Sequence, residues 1–531
     1  MTAASPELVG DDTSPWWANS KIAMGVALAA GAVAIVICVN QLRVPHAFLG
    51  VDEYDDGVDL GAAIRLAHGS IPYRDFLFGH PPGVPLLMTP LALIGRLTGT
   101  RILMAIVRIV TMFVTAGCVI LVARLVRHRG VHAVILAGVL VAIFPMAVTA
   151  DKTLLLEPYL DLFCLVGAAL MFVGDEPACT RNLTLAGIAF GFAAAIKLWA
   201  VLPAFIALAC CLPSVRRKVR PALLGMAAGF LTPSLPFLLL APKDFFRDVI
   251  AIQLSRGSSV GSLSVSGRLV YITGIQGLTV ARPTTRLAEA IVAVVAVAVL
   301  AAFLVRPRPT RLDWFALGSA GASVSALLVA PDFHPHYADF SAPFLALLVA
   351  ISCDRILKAV AGAVGTRADR AGLRRRLVSI LVGAVVVATA VGALFGIVQA
   401  RNFDRANPGY ITVGDPGPMI ASAVPKGACA VSDEAVLLIA ADRFVSSVKC
   451  PVLLDPYYLW LLYDRADPPP AAPPYNPRLV AQWQTLFGSV EYVVLSSNPF
   501  RIPWTSGLSA YFNQNFQLVI SNPDAAVYRR D

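Results

Sequence analysis

The sequence predicts an all-α polytopic membrane protein with a C-terminal α/β domain outside the membrane. Three observations carry this. Of 531 residues, 57% are hydrophobic and only 14% charged, against about 45–50% and about 25% in a soluble domain. Apolar runs of about 20 residues, the length that crosses a bilayer, recur through the first 400 positions. Basic residues concentrate in alternate short loops, the pattern that orients membrane proteins. The formal charge of +10 is therefore no argument for nucleic acid, and hydrophobicity this high excludes disorder. Nine cysteines show no CxxC and no zinc spacing, so neither a metal ribbon nor a disulfide scaffold organises the chain.

Taken in order, residues 1–20 form a cytoplasmic tail and 21–400 a transmembrane domain. Ile22 to Gln41 carries no charge and follows Lys21; it is too long for a signal h-region and lacks a clear cleavage site, so it reads as an uncleaved first span. Further spans are predicted at 102–125, 132–150, 153–173, 183–197, 198–213, 221–241, 284–305, 312–330, 338–357 and 377–399, eleven in all. Arg124, Arg127 and Arg129, the cluster Arg216 to Arg220, Arg306 to Arg311, and Arg355 to Arg376 share the inner face if 183–213 crosses twice. A single helix there would leave Lys197 in hydrocarbon, at about 2.5–3.5 kcal/mol or more; two short helices put it at an outer turn. The outer segments are then a long loop (42–101), the corner Asp151–Lys152, a loop at 242–283 and a turn at 331–337. Residues 401–531 have soluble composition, strand-like runs at Tyr492–Leu495 and Gln517–Ile520, a helix at Ala435–Ala441 and a Pro-rich loop from Pro468 to Pro477. They form the extracytoplasmic α/β domain. Cys429 and Cys450 both lie there, in an oxidising place, so they stand either as a disulfide or as two free thiols.

The chemistry concentrates on the outer side. Val51 to Leu60 holds five carboxylates, Asp52, Glu53, Asp55, Asp56 and Asp59. Asp52 and Glu53 lie closest to the membrane exit, where a carboxylate can serve as general base to an acceptor hydroxyl; the other three read better as a solvated or helix-capping cluster. Ala62 to His68 continues as a helix lying on the membrane, followed by Arg74, beside its loop partner Asp75, and by His80-Pro81-Pro82-Gly83. Glu157 and Asp161, four apart, share a helix face. They are either a second acidic element that orients the acceptor or holds a divalent cation, or internal partners of Arg108. Lys197 suits a phosphate leaving group, the alternative being snorkelling to headgroups. Asp332-Phe333-His334-Pro335-His336-Tyr337 reads as a phosphate- or sugar-contacting turn rather than a metal site, because two histidines find no third local ligand. Arg256 stands equally as phosphate ligand and as headgroup contact.

The run D-E-Y-x(10)-R-L-x-x-G-x-x-P-Y-R-D-F-x-x-x-H-P-P-G (52–83) resembles the first outer loop of GT-C fold glycosyltransferases. The nearest branch is the polyprenyl-phosphate-sugar-dependent one, which includes protein O-mannosyltransferases and the lipid A aminoarabinose transferase. Gly187-x(3)-Gly191-x(5)-Lys197 is similar to that family's broken helix pair, and His336-Tyr337 with Pro343 to its late outer turn. The resemblance implies a multi-pass protein of the plasma (inner) membrane that moves one sugar from a lipid-phosphate donor to an envelope glycan, lipid or protein outside. It implies Asp52 as base with Glu53 beside it and supports Lys197 as phosphate ligand, and the reading of the residues adds His336, Tyr337 and Arg256 to the phosphate side. Inversion by a single displacement needs no metal or other cofactor, although a divalent cation has ligands within reach. His80 replaces a lysine common in the family, which leaves the donor sugar open, with arabinose and mannose the expectations. The rival classes are a secondary transporter or flippase and a non-catalytic envelope scaffold. Against transport stand the missing internal repeat, the acids gathered at one surface and the large outer domain.

Overall fold

The computed structural model describes residues 20–212, 214–256, 263–277, 285–363, 414–444, 450–451, 453–463 and 474–531, with 379–380, 383–384, 386–392 and 394. The helices are α1 (Ser20–Leu42), α2 (Tyr54–Ala67), α3 (Gly83–Thr98), α4 (Thr100–Leu125), α5 (Val131–Ala142), α6 (Pro145–Ala150), α7 (Leu156–Met171), α8 (Thr180–Ile196), α9 (Val201–Cys210) and α10 (Arg220–Leu240). Then follow α11 (Pro242–Phe246), α12 (Ile252–Ser255), α13 (Val265–Ile272), α14 (Thr285–Leu304), α15 (Arg311–Val329) and α16 (Ala342–Ala363). Among the described residues, five stretches are long and apolar enough to cross a membrane: α1, α4, Val215–Leu240, α14 and α15. The remaining expected spans are shorter, broken or charged, so the helices do not establish the count of eleven. The span expected at 377–399 falls mostly outside the described residues.

The breaks have local causes. The run 132–150 divides into α5 and α6 because Pro145 lacks an N–H and holds Phe144 extended, at φ −64° and ψ 120°. The run 183–213 divides at Lys197, whose backbone is extended at φ −147° and ψ 132°. The helix after the first span begins earlier than expected, at Tyr54 instead of Ala62. Glu53 caps it, accepting from the Tyr54 N–H, and Asp55 and Asp56 fill its first turn, where the helix dipole favours acids.

The α8–α10 contact fixes the centre of the bundle. A Cβ at Gly187 would lie 2.1 Å from the Ala222 carbonyl oxygen, and one at Gly191 2.1 Å from that of Met226. From the other side, a Cβ at Gly225 would lie 2.2 Å from the Thr184 oxygen and one at Gly229 2.2 Å from that of Ile188. The two helices touch backbone to backbone, as small residues four apart permit in membranes. At one end of the bundle Arg129 pairs with Asp175 and with Asp313 (2.6 Å), Arg355 with Asp313 (3.0 Å), and His132 with Asp354 (3.1 Å). Arg129 and Arg355, read from sequence as orientation charges, are thus also buried fasteners of α5, α15 and α16.

Two strands, β1 (Phe172–Val173) and β2 (Glu176–Pro177), form a short hairpin between α7 and α8. The C-terminal segment carries a four-stranded sheet of β3 (Ala430–Ser432), β4 (Tyr492–Ser496), β5 (Phe516–Ser521) and β6 (Ala525–Arg530), in the order β3-β4-β6-β5. The β3–β4 pair is parallel and the others antiparallel. Helices Ala435–Ala440, Pro456–Tyr463, Pro477–Gly488 and Ser506–Asn515 flank it, and Trp460, Trp483 and Phe487 are fully buried in its core. Cys429 and Cys450 form a disulfide. The sheet segment docks on the first loop, where Gly57 of α2 sits so close to helix Ala435–Ala440 that a Cβ would lie 2.3 Å from the Val436 nitrogen.

Replacing Gly191 by leucine is expected to part α8 from α10, at a cost on the scale of overpacking, about 1–3 kcal/mol or more. It should lower the thermal unfolding midpoint of the detergent-purified protein, whereas Gly25→Ala, in open space, leaves it unchanged.

Candidate active site

The break after α8 aims Lys197 into the protein. Its Nζ lies 2.6 Å from Glu157 Oε1 and 4.1 Å from the ring centres of both Trp199 and Tyr337. Glu157 stands in the first turn of α7, a position the helix dipole favours for an acid. The lysine is therefore held by one carboxylate and two aromatic faces, an arrangement that keeps a cation charged away from bulk water. Beside it opens a cavity of about 260 Å³, lined by His80, Lys197, Trp199, Gln253, Arg256, Asp332 and Tyr337.

The walls of this cavity are tied together by polar contacts. Arg256 Nη1 donates to Asp332 Oδ2 at 2.9 Å, and the same oxygen lies 3.0 Å from His334 Nε2 and accepts from the Tyr457 hydroxyl at 3.5 Å. The Gln253 amide donates to the Gly79 carbonyl at 2.9 Å, and the Tyr73 hydroxyl to that of His80 at 2.6 Å. His336 lies behind Tyr337, ring centres 4.8 Å apart, and stacks on His334 at 5.7 Å. Desolvation, reinforced by the Lys197 charge, pushes the imidazoles of His80 and His336 down to about 3. Both are neutral near pH 7.

Four of the five acids after the first span divide among separate tasks, and the fifth, Asp59, is buried like Asp56, which corrects the expectation of a solvated cluster. Asp52 is paired with Lys152 at 3.0 Å and lies outside the cavity wall. Glu53, the cap of α2, has its carboxyl pushed well up by desolvation and by Asp55, Asp52 and Asp56. Asp56 is buried and binds Arg108 at 2.8 Å, while its other oxygen accepts from the Leu154 N–H at 2.7 Å. Arg108 therefore belongs to Asp56, which corrects the expectation that it partners Glu157 or Asp161. Asp161 is buried, with one carboxylate oxygen unbonded among the described residues. Asp55 faces the charges of Asp455, His334, Glu157 and Lys197, and desolvation followed by Asp455 pushes its carboxyl up to about 6. Arg74 is exposed and, among the described residues, its side chain bonds its neighbour Asp75 and no part of the cavity.

The structure thus brings Lys197, Glu157, His80, Arg256 and Tyr337 together, with His336 one ring behind. Sequence reasoning missed Trp199, Asp455 and Tyr457, and named Asp332 only as part of the late turn and Tyr54 only within the loop motif. The Tyr54 hydroxyl donates to Asp455 at 2.9 Å, and Arg501 lies 4.0 Å above the Tyr54 ring while pairing with Glu434. The C-terminal segment therefore closes over the first loop. Among the described residues, no group of three His, Cys, Asp or Glu side chains is placed to share a metal ion.

The raised carboxyl of Asp55 has a definite pH signature. Its folded state keeps the proton up to about 6, whereas the unfolded chain releases it near 3.9. The stabilisation is full below the lower value and lost as pH rises through the upper. The difference in unfolding midpoint between the native protein and Asp55→Asn should fall between pH 4 and pH 6.5; a constant difference contradicts the assignment.

Residues 78–331 match the model of Glycosyltransferase family 87. No curated protein matches the sequence. Among solved structures, ArnT from Cupriavidus metallidurans bound to undecaprenyl phosphate superposes with a TM-score of 0.60 at 16% identity, over 95% of this chain and 98% of that one. The Archaeoglobus fulgidus oligosaccharyltransferase tethered with an acceptor peptide superposes with a TM-score of 0.53 at 13% identity, over 96% of this chain and 74% of that one. At such identities the likeness is one of fold. The matched segment is thus similar to a glycosyltransferase family, and the chain as a whole shares the fold of ArnT and of the oligosaccharyltransferase.

Proposed function

We propose that the chain transfers a single sugar from a polyprenyl-phosphate donor to a hydroxyl on an envelope glycan, glycolipid or protein at the outer face of a bacterial plasma membrane. The N-terminus then lies in the cytoplasm. The observation that carries this reading is Lys197 on the wall of a cavity, clamped by Glu157, Trp199 and Tyr337, with Arg256 across from it. Two fixed cations on one small cavity suit a phosphate, whose charge grows as the glycosidic bond breaks. Donors already in place when charge develops cost no reorganisation. The undecaprenyl phosphate on the ArnT structure agrees with a lipid-phosphate donor.

In this reading Lys197 and Arg256 hold the donor phosphate, with Tyr337 and the neutral imidazoles of His80 and His336 donating or accepting hydrogen bonds around it. Asp52, with Glu53 adjacent, takes the proton from the acceptor hydroxyl. That oxygen forms the new bond to the anomeric carbon while the bond to the phosphate oxygen breaks, and the lipid leaves as a phosphate monoester. One displacement inverts the anomeric centre. Lys152, 3.0 Å from Asp52, orients the base. Charge neutralisation by Lys197 and Arg256 leaves the reaction without need of a metal or other cofactor. Glu157 orients Lys197, and Asp161 stands beside it as a second acid on the same helix.

The test is transfer of radiolabelled sugar from synthetic polyprenyl-phosphate arabinose and mannose to envelope acceptors by the purified chain. Asp52→Asn is expected to lower turnover by about 10²–10⁴, the range of a general base. Lys197→Met is expected to lower it by about 10²–10³, the range of a lost charge-stabilising donor. Undiminished turnover in Asp52→Asn removes the base assignment, and absence of a new glycosidic bond with any lipid-phosphate sugar removes the donor class.

A further inference from the structure

A second cavity, of about 410 Å³, lies at the far end of α3 from the first. His68 at the end of α2, Arg96, Thr98, Thr100 at the start of α4, and Lys426 and Asp442 from the C-terminal segment line it. The chain turns sharply between α3 and α4 at Gly99, with φ +91°, so the connection takes one residue and leaves the space open. Two cations, Arg96 and Lys426, face one carboxylate, Asp442. Asp442 is already engaged, accepting from the Arg101 N–H at 2.9 Å and from the Thr100 hydroxyl at 3.3 Å. Arg96 donates one N–H to the Ala67 carbonyl, and His68 Nδ1 lies 2.8 Å from the Ile64 oxygen. Among the described residues none of His68, Arg96 and Lys426 forms an ion pair with a carboxylate.

An apolar ledge adjoins this basic cup. Leu97 is 91% exposed, and Leu93 and Ile94 on the preceding turn are 46% and 47% exposed. Such a ledge is unfavourable in water. The cup also opens where α4 begins, and α4 is long and apolar enough to cross a membrane. Its start therefore lies at the level where headgroups meet hydrocarbon. Cations at the rim and leucines on the ledge are complementary to a molecule with an anionic head and apolar tails.

We propose that this cup binds the phosphate headgroup of an anionic glycerophospholipid, with Arg96 and Lys426 on the phosphate and the acyl chains along Leu93, Ile94 and Leu97. The site is separate from the cavity at Lys197, although α3 runs from one to the other. Its occupant is a resident lipid and not the sugar donor.

The test uses the delipidated full chain in neutral detergent, with the unfolding midpoint as readout. Phosphatidylglycerol is expected to raise the midpoint by several degrees, and phosphatidylcholine and inorganic phosphate to raise it by much less. Lys426→Gln, at an exposed position with no structural bond of its own, should at least halve the gain; Arg96→Gln should do the same, and Lys426→Arg should retain it. An equal gain from phosphatidylcholine, a full gain from inorganic phosphate, no gain from phosphatidylglycerol, or an undiminished gain in both glutamine variants overturns the proposal.

Discussion

A charge taken out of water must find an opposite charge or a polarisable face, and the half of this molecule around Lys197 is arranged around that requirement. Removing one partner of a buried ion pair leaves the other uncompensated, at about 3–5 kcal/mol. Each pair here spans segments far apart in sequence. Lys197 with Glu157 joins the broken helix to α7, and Asp56 with Arg108 joins the first loop to α4. Asp52 with Lys152 joins that loop to the corner before α7, and Arg256 with Asp332 joins the third outer loop to the late turn. These loops are thereby held in one arrangement around the cavity.

The C-terminal segment completes this arrangement from above. The Tyr458 hydroxyl donates to the Asp248 carbonyl, Tyr54 bonds Asp455, and Tyr457 reaches Asp332. The stretch that carries Asp455 to Tyr458 follows closely on Cys450, which is tied by its disulfide to Cys429 at the start of β3. Sheet, disulfide and roof are therefore mechanically continuous. These contacts make the segment a roof over the Lys197 cavity.

How much of this was legible depends on the kind of signal each feature leaves in a sequence. The apolar runs of α1, α4, α14 and α15 announce themselves, and the break at Lys197 follows from one charge in an apolar stretch. The break at Pro145 was just as visible in Phe144-Pro145 but was absorbed into an apolar run. Partners are a different matter. Asp55 and Asp56 are neighbours in the chain, yet α2 turns them about 100° apart, so one faces Lys197 and the other Arg108. Composition shows five acids in a row and does not reveal that division. Asp332, Asp455 and Tyr457 come together across more than 100 residues, and only the folded chain relates them. Arg129 and Arg355 show that a basic residue beside a helix end can be a buried fastener, which its position in the sequence does not reveal.

The glycine seam between α8 and α10 sets the height of Lys197 in the molecule. Helices separated by side chains can slide, because rotamers re-form at intermediate positions. Helices in backbone contact at Gly187, Gly191, Gly225 and Gly229 have nothing to re-form. A slip of one residue would shift the lysine by about 1.5 Å and turn it by about 100°, away from Glu157 and both rings. The seam is a depth gauge with a single mark: the cation stands at that level, or the two helices are no longer in contact.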